Sequence, residues 1–175
     1  ANAYGHGIER AYDGLRGADG FALLDLQEAE RIRALGWRGP VLVLEGAFEL
    51  RDLELCSRLD LWHVVHCTEQ IDWLATHKTH TPHRVFLKMN SGMNRLGLPP
   101  HEVDALAGPE RGVFEHFEVS LLMSHLACAD EQSNPLNEEQ RQRFDAIRAR
   151  LPDAPASLAN SGGTFLGPKF HYDLV

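Results

Sequence analysis

VLVLE, residues 41–45, runs straight into the helical pattern ELRDLELCSRL, residues 49–59, and this pairing decides the fold. A strand with one wet face alternates apolar and polar residues. VLVLE instead reads as a continuous apolar run closed by one acid, which implies cover on both faces and therefore a parallel sheet. The same unit recurs on either side. FALLD (21–25) leads into LQEAERIRALG, whose Leu26, Ala29, Ile32 and Leu35 fit one helix face that stops at Gly36. WHVVHC (62–67) precedes EQIDWLATH, RVFLKMN (84–90) precedes PPHEVDALAG, and FEVSLLMSH (117–125) precedes the amphipathic NEEQRQRFDAIRARL. ASLANS (156–161) closes a series of six such strands, with HGIERAYDGLRG (6–17) as a helix ahead of the first. TPH (81–83), LPP (98–100) and GPERG (108–112) punctuate the loops.

Repeated β-α units allow a doubly wound open sheet or a (β/α)8 barrel. Polar residues just past the strand ends favour the barrel, whose sites are built at that rim from many strands. Asp25, Glu45, His66, Lys88 with Asn90, His125 and Ser161 all occupy such positions. Six strands fall short of eight, so the expected fold is an incomplete TIM-type barrel, a partial domain over residues 1–175. One strand is expected ahead of residue 1 and another to start in HYDLV (171–175).

With 175 residues, 43% hydrophobic and 24% charged, the chain suits one globular domain. A net charge of −8 and the lack of a basic stripe argue against nucleic acid. Cys56, Cys67 and Cys128 are odd in number and lack metal-ligand spacing, which fits a reducing compartment. No apolar run approaches the roughly 20 residues of a membrane span, so the expected location is the cytoplasm.

Four stretches carry candidate chemistry. ANAYGHG (1–7) combines glycines with the Tyr4 hydroxyl, suited to a phosphate or to a simple turn. KMNSGMNRLG (88–97) brings two cations, Lys88 and Arg95, to one rim. Bare, they would repel, so either the Lys turns outward or an acid lies between them. An Arg there is a planar fork for a carboxylate or phosphate, or a partner for a surface acid. MSHLACADEQSNPLN (123–137) sets His125 at a strand end, as a proton carrier, a stacking face or a core imidazole, without the spacing of a metal site. SLANSGG (157–163) ends a strand in Asn160 and Ser161 before two glycines, a phosphate cup or a helix cap. HKTHTPH (77–83) reads as a solvated loop rather than a metal tract, the other histidines as scattered, and Trp37, Trp62 and Trp73 as packing residues.

In this order, ANAYGHG, LKMNSGMNRLG, MSHLACAD and SLANSGG, with LEGAF (44–48), resemble alanine racemase, the fold-type III pyridoxal phosphate enzymes. The resemblance implies a pyridoxal 5'-phosphate barrel followed by a β-rich domain, in a homodimer that interconverts L- and D-alanine for peptidoglycan or for alanine catabolism. It implies that Tyr4 and Ser161 contact the cofactor phosphate, with Asn160 beside them. Arg95 would hold the cofactor's phenolic oxygen and the substrate carboxylate, and His125 would stack near the pyridine ring. Arg95 and His125 are thus the catalytic-site residues of this stretch. Lys88 matches a position that many members carry as N6-carboxylysine, and such an anion would orient Arg95. The family's Schiff-base Lys is expected just before Ala1, an Arg-Pro-Gly-Ile segment just after Val175, and the opposite-face Tyr in the second domain. The chain alone is therefore expected to be inactive. The alternatives are another fold-type III protein (a broad-specificity racemase, a D-amino-acid aldolase, a decarboxylase or a non-catalytic cofactor carrier) and an inert fragment. LKMNSGMNRLG favours alanine racemase among them.

Overall fold

The computed structural model describes residues 2–175, so Ala1 of the ANAYGHG stretch lies outside the described residues. Helix α1 (Ile8–Gly14) precedes β1 (Phe21–Leu23), α2 (Leu26–Ala34), β2 (Val41–Val43), α3 (Leu50–Arg58) and β3 (Trp62–Val65). Then come α4 (Thr68–Thr76), β4 (His83–Lys88), α5 (Pro100–Ala107), β5 (Phe117–Met123), α6 (Pro135–Arg148) and β6 (Ala156–Ser157). The starts of helices are written locally. Asp25 caps α2 by accepting from Glu28 N at 2.8 Å, and Asn134 caps α6 by accepting from Leu136 N at 3.0 Å. Asp25, one of the rim candidates, thus serves its helix.

The strands pair in the order β1-β2-β3-β4-β5-β6, all parallel. A doubly wound sheet reverses its order at a switch point. Here every strand joins on the same side of its predecessor, so the sheet curls as a half-barrel. Asp173 N and Leu174 N both donate to Ala156 O, and Leu174 bridges Ser157 in parallel register, so a further strand begins in HYDLV as expected. Tyr172 anchors that segment on α6: its ring meets Phe144 edge-on at 5.3 Å and its hydroxyl donates to Asp145 Oδ1 at 2.8 Å.

The continuous apolar runs have two destinations. On the convex face Val65, Val85, Leu87 and Leu122 pack beneath helix residues such as Leu53, Leu74, Leu106 and Phe144. On the concave face Val64, Phe86 and Leu121 are buried, flanked by half-buried Leu42, Trp62 and Met123. A bulge sorts β5 between them. Val85 pairs with Val119 but Phe86 with Leu121, so Ser120 is the extra residue. Val119 therefore packs on the convex side while Leu121 and Met123 face inward, opposite Phe86 and Lys88.

Each strand ends two to four residues before its apolar run does. The remainder bends into rim loops, as Gly46 illustrates: its φ is +72°, and a Cβ there would fall 2.1 Å from Val64 O.

The HKTHTPH reading needs correction. His83 is buried at the start of β4, and its Nδ1 lies 3.2 Å from Nε2 of His63, which is buried in β3. His83 Nε2 lies 3.0 Å from His77 Nδ1 and 3.3 Å from Ser57 Oγ. Three histidines taken as scattered or solvated thus form one chain at the N-terminal end of the sheet, because α3 and the turn after α4 close over them.

Candidate active site at the strand rim

The loop after β4 is closed by Leu98 N donating to Lys88 O at 2.9 Å and Asn90 N donating to Leu98 O at 3.0 Å. Asn90 Oδ1 accepts from Gly92 N and Asn94 N, at 3.0 and 3.1 Å, and winds the turn. Gly97 makes closure possible, since a Cβ there would sit 2.7 Å from Met89 C. The loop holds Arg95 exposed at its tip while Lys88 stays at the base, 8% exposed on the concave face.

Of the two options left open for these cations, the Lys does not turn outward. Burial lowers its basicity first and the Arg95 charge adds to that, while Glu45 acts in the opposite sense. Half-buried His125 is lowered likewise, by burial and then by Lys88 and Arg95. None of the ion pairs among the described residues engages Lys88 or Arg95. Three basic groups lie together, and Glu45 offsets Lys88 in part. Such a cluster favours an anionic ligand and, at Lys88, a neutral amine.

Asn160 Nδ2 donates to Leu126 O at 3.2 Å and lies 3.4 Å from His125 Nε2, while its Oδ1 accepts from Gly163 N at 2.9 Å. Its side chain is fully used in tying the β6 turn to the β5 loop. That bond takes the capping role open to Ser161, which stays exposed. The structure thus joins Lys88, Arg95, His125 and Asn160 in one neighbourhood, with Ser161 next in chain. It does not bring Tyr4 there. Tyr4 stands on the β1 side, its ring fully exposed, within a left-handed run in which Asn2, Ala3 and Tyr4 have φ of 51°, 50° and 55°.

Sequence reasoning missed the supports of this rim. Gln70 of α4 holds the LEGAF loop, donating to Ala47 O at 2.9 Å and accepting from His66 N at 2.8 Å. Gln140 of α6 does the same for the β4 and β5 loops. A signal was available: Asn137 and Gln140 share the spacing of Phe144, so amides stand on the apolar stripe of α6, where polar groups need partners.

A singly wound parallel β/α half-barrel with a cationic rim at the C-terminal ends of its strands defines the class: a β/α barrel domain whose rim is suited to an anionic ligand. The family description "Alanine racemase, N-terminal domain" matches residues 1–175, and the chain belongs to that family. It is 70% identical over 166 residues to an alanine racemase of Paracidovorax citrulli, covering 94% of this chain and 43% of that protein. To an alanine racemase of Polaromonas sp. JS666 it is 61% identical over 163 residues, covering 93% and 44%. The chain thus spans less than half the length of these relatives. Among solved structures it superposes on the biosynthetic alanine racemase of Pseudomonas aeruginosa with a TM-score of 0.89 at 37% identity, covering 99% of this chain and 48% of that one. On the Bartonella henselae alanine racemase, solved with covalently bound pyridoxal phosphate, the TM-score is 0.91 at 30% identity, covering 99% and 52%.

Proposed function

We propose that this chain is the cofactor-binding barrel portion of a pyridoxal phosphate-dependent alanine racemase. The carrying observation is the Lys88, Arg95 and His125 cluster at one rim, where burial and then the Arg95 charge lower the basicity of Lys88, and burial and then the Lys88 and Arg95 charges lower that of His125. The residues fit the group. A phosphate, a phenolate oxygen and a substrate carboxylate are the anions such a rim accepts, and a planar guanidinium suits the last two. Ser161 offers a free hydroxyl to the phosphate, with Asn160 shaping the turn behind it. Tyr4 is assigned to the same phosphate by family resemblance.

When bound, pyridoxal phosphate supplies the electron withdrawal that acidifies the α-hydrogen of alanine. Arg95 would orient the substrate carboxylate, and His125, within reach of Asn160, would face the cofactor ring. Lys88, buried and pressed toward its neutral amine, is poised to attack carbon dioxide through Nζ, forming a carbamate and releasing one proton. The resulting anion would replace a repelling cation beside Arg95 with a partner. By family resemblance, the groups that move the α-proton are assigned to parts of the parent protein outside residues 1–175. The parent protein is accordingly read as a cytoplasmic homodimer acting on alanine, for peptidoglycan or for alanine catabolism. Three unpaired cysteines accord with that location, and no helix among the described residues is long and apolar enough to cross a membrane.

The test is interconversion of L- and D-alanine by the full-length protein, with and without added pyridoxal phosphate. Cofactor-dependent racemization is expected; a cofactor-loaded protein that leaves both enantiomers unchanged overturns the reading. Residues 1–175 alone should show none.

A further inference from the structure

Gln140 is a buried amide that the chemistry above does not use. Its side chain is 0% exposed on the inner face of α6, and all its hydrogen-bonding groups are spent on the two rim loops. Nε2 donates to His125 O at 2.9 Å and to Ser91 Oγ at 3.4 Å, while Oε1 accepts from Ala127 N at 2.8 Å. The network has one direction. Ser124 Oγ donates to Met89 O at 2.8 Å, so the 2.7 Å contact between the two hydroxyls is made by Ser91 donating to Ser124. Ser91 is then free to accept from Gln140. Both serines are buried, and every proton in the relay has one destination.

The backbone groups so connected flank the functional residues. Met89 and Ser91 bracket the base of the loop that carries Lys88 and Arg95, and His125 with Ala127 forms the start of the loop after β5. The strands hold these loops in register only as far as the Lys88 and Met123 pair. Beyond it, Met89 N donating to Met123 O is the last backbone bond between β4 and the β5 strand. Gln140 takes over where the sheet lets go.

We propose that Gln140 is a positioning residue for the reaction, fixing the Arg95-bearing loop against His125 through one buried amide relayed by Ser91 and Ser124. The proposal rests on the racemase reading for its consequence and on geometry for its mechanism, so two readouts separate them. One is kcat/KM for alanine in the full-length protein. The other is the titration of His125 by NMR, which reports its burial and then its distance from Lys88 and Arg95 whether or not racemization occurs. Gln140→Met preserves length and removes the relay. It should lower kcat/KM by about 10- to 100-fold, the scale of a misplaced catalytic group, and let the His125 titration rise toward its ordinary range. Asn137→Ala controls for lost stability, since it strips bonds of 3.1 and 3.0 Å to Cys128 O and Glu131 O one turn away. That variant should keep both readouts near the parent. Should Gln140→Met fail to fold, Ser91→Ala cuts the relay alone and should move both readouts in the same direction by less. An unchanged His125 titration in the folded variant overturns the proposal, as does an Asn137→Ala protein that matches Gln140→Met. An inactive parent whose His125 nonetheless shifts in Gln140→Met would refute the racemase reading and leave the positioning role standing.

Discussion

Two clusters of basic side chains lie at opposite ends of one sheet, and they are neutralised in different ways. At the C-terminal rim, burial and then the neighbouring cationic charge lower the basicity of Lys88 and His125 beside Arg95, and none of the three has a carboxylate at ion-pair distance among the described residues. At the N-terminal end, His63, His83 and His77 pass one hydrogen bond to the next, and in either direction the nitrogens that link them are paired with every ring neutral. Burial is the first cause of the shift in both His63 and His83, with neighbouring histidines second. The rim asks for an anion from outside; the histidine chain is complete in itself. This is the division expected of a β/α barrel, chemistry at the top and stability at the bottom.

The rim should break on function while sparing the fold. Arg95 is exposed and makes no ion pair among the described residues, so Arg95→Met is expected to change the unfolding midpoint little. It should lower kcat/KM for alanine by about a thousandfold, because the fork that aligns the carboxylate is gone. The same variant should raise the His125 titration, since one of its two cationic neighbours is removed. A protein that loses its fold instead, or keeps its activity, would erase the distinction between the two ends.

The histidine chain should behave oppositely. Unfolded, these imidazoles take up a proton near 6.5; folded, His83 does so at about 4 and His63 at about 3. Between those values the unfolded chain holds more protons, so stability is full above the ordinary value and is lost as pH falls. Each pH unit in that window costs at most about 1.4 kcal/mol per histidine. Thermal unfolding followed from neutral pH down to about pH 4 should show this slope, and His63→Leu should flatten it without changing kcat/KM near neutrality. An unaltered acid slope in that variant would mean that the chain does not govern acid stability.

The same contrast shows what a one-dimensional reading can reach. Strand-and-helix alternation was legible because a barrel strand covered on both faces must be apolar throughout, as Val41–Val43 is. That Lys88, Arg95 and His125 share one rim was legible from their places at or just past strand ends. The bulge at Ser120 was not: FEVSLLM alternates as if Val119 and Leu121 shared a face, and only pairing with β4 shows that they do not. Nor was the histidine chain, since His63 stands 20 residues before His83 and only the parallel pairing of β3 with β4 joins them. His63 inside WHVVHC was the available hint, a polar residue in an apolar run that needs a buried partner.

Asn160 and Ser161, adjacent and polar, sharpen the contrast at its smallest scale. Asn160 spends its side chain on Gly163 N and Leu126 O, so Asn160→Ala should cost about 1 kcal/mol of stability, as loss of a capping side chain does. Ser161 spends nothing within the described residues, so Ser161→Ala should leave the unfolding midpoint in place. Its cost should fall on the ligand. One hydrogen bond to a charged oxygen is worth about 1.5–3 kcal/mol, which sets the expected loss of pyridoxal phosphate affinity at about 10- to 150-fold, measured by cofactor titration of the full-length protein. Unchanged affinity in Ser161→Ala would move the phosphate away from the β6 turn. The cationic cluster would then hold the substrate carboxylate and the cofactor's phenolic oxygen, with the phosphate seated elsewhere on the rim.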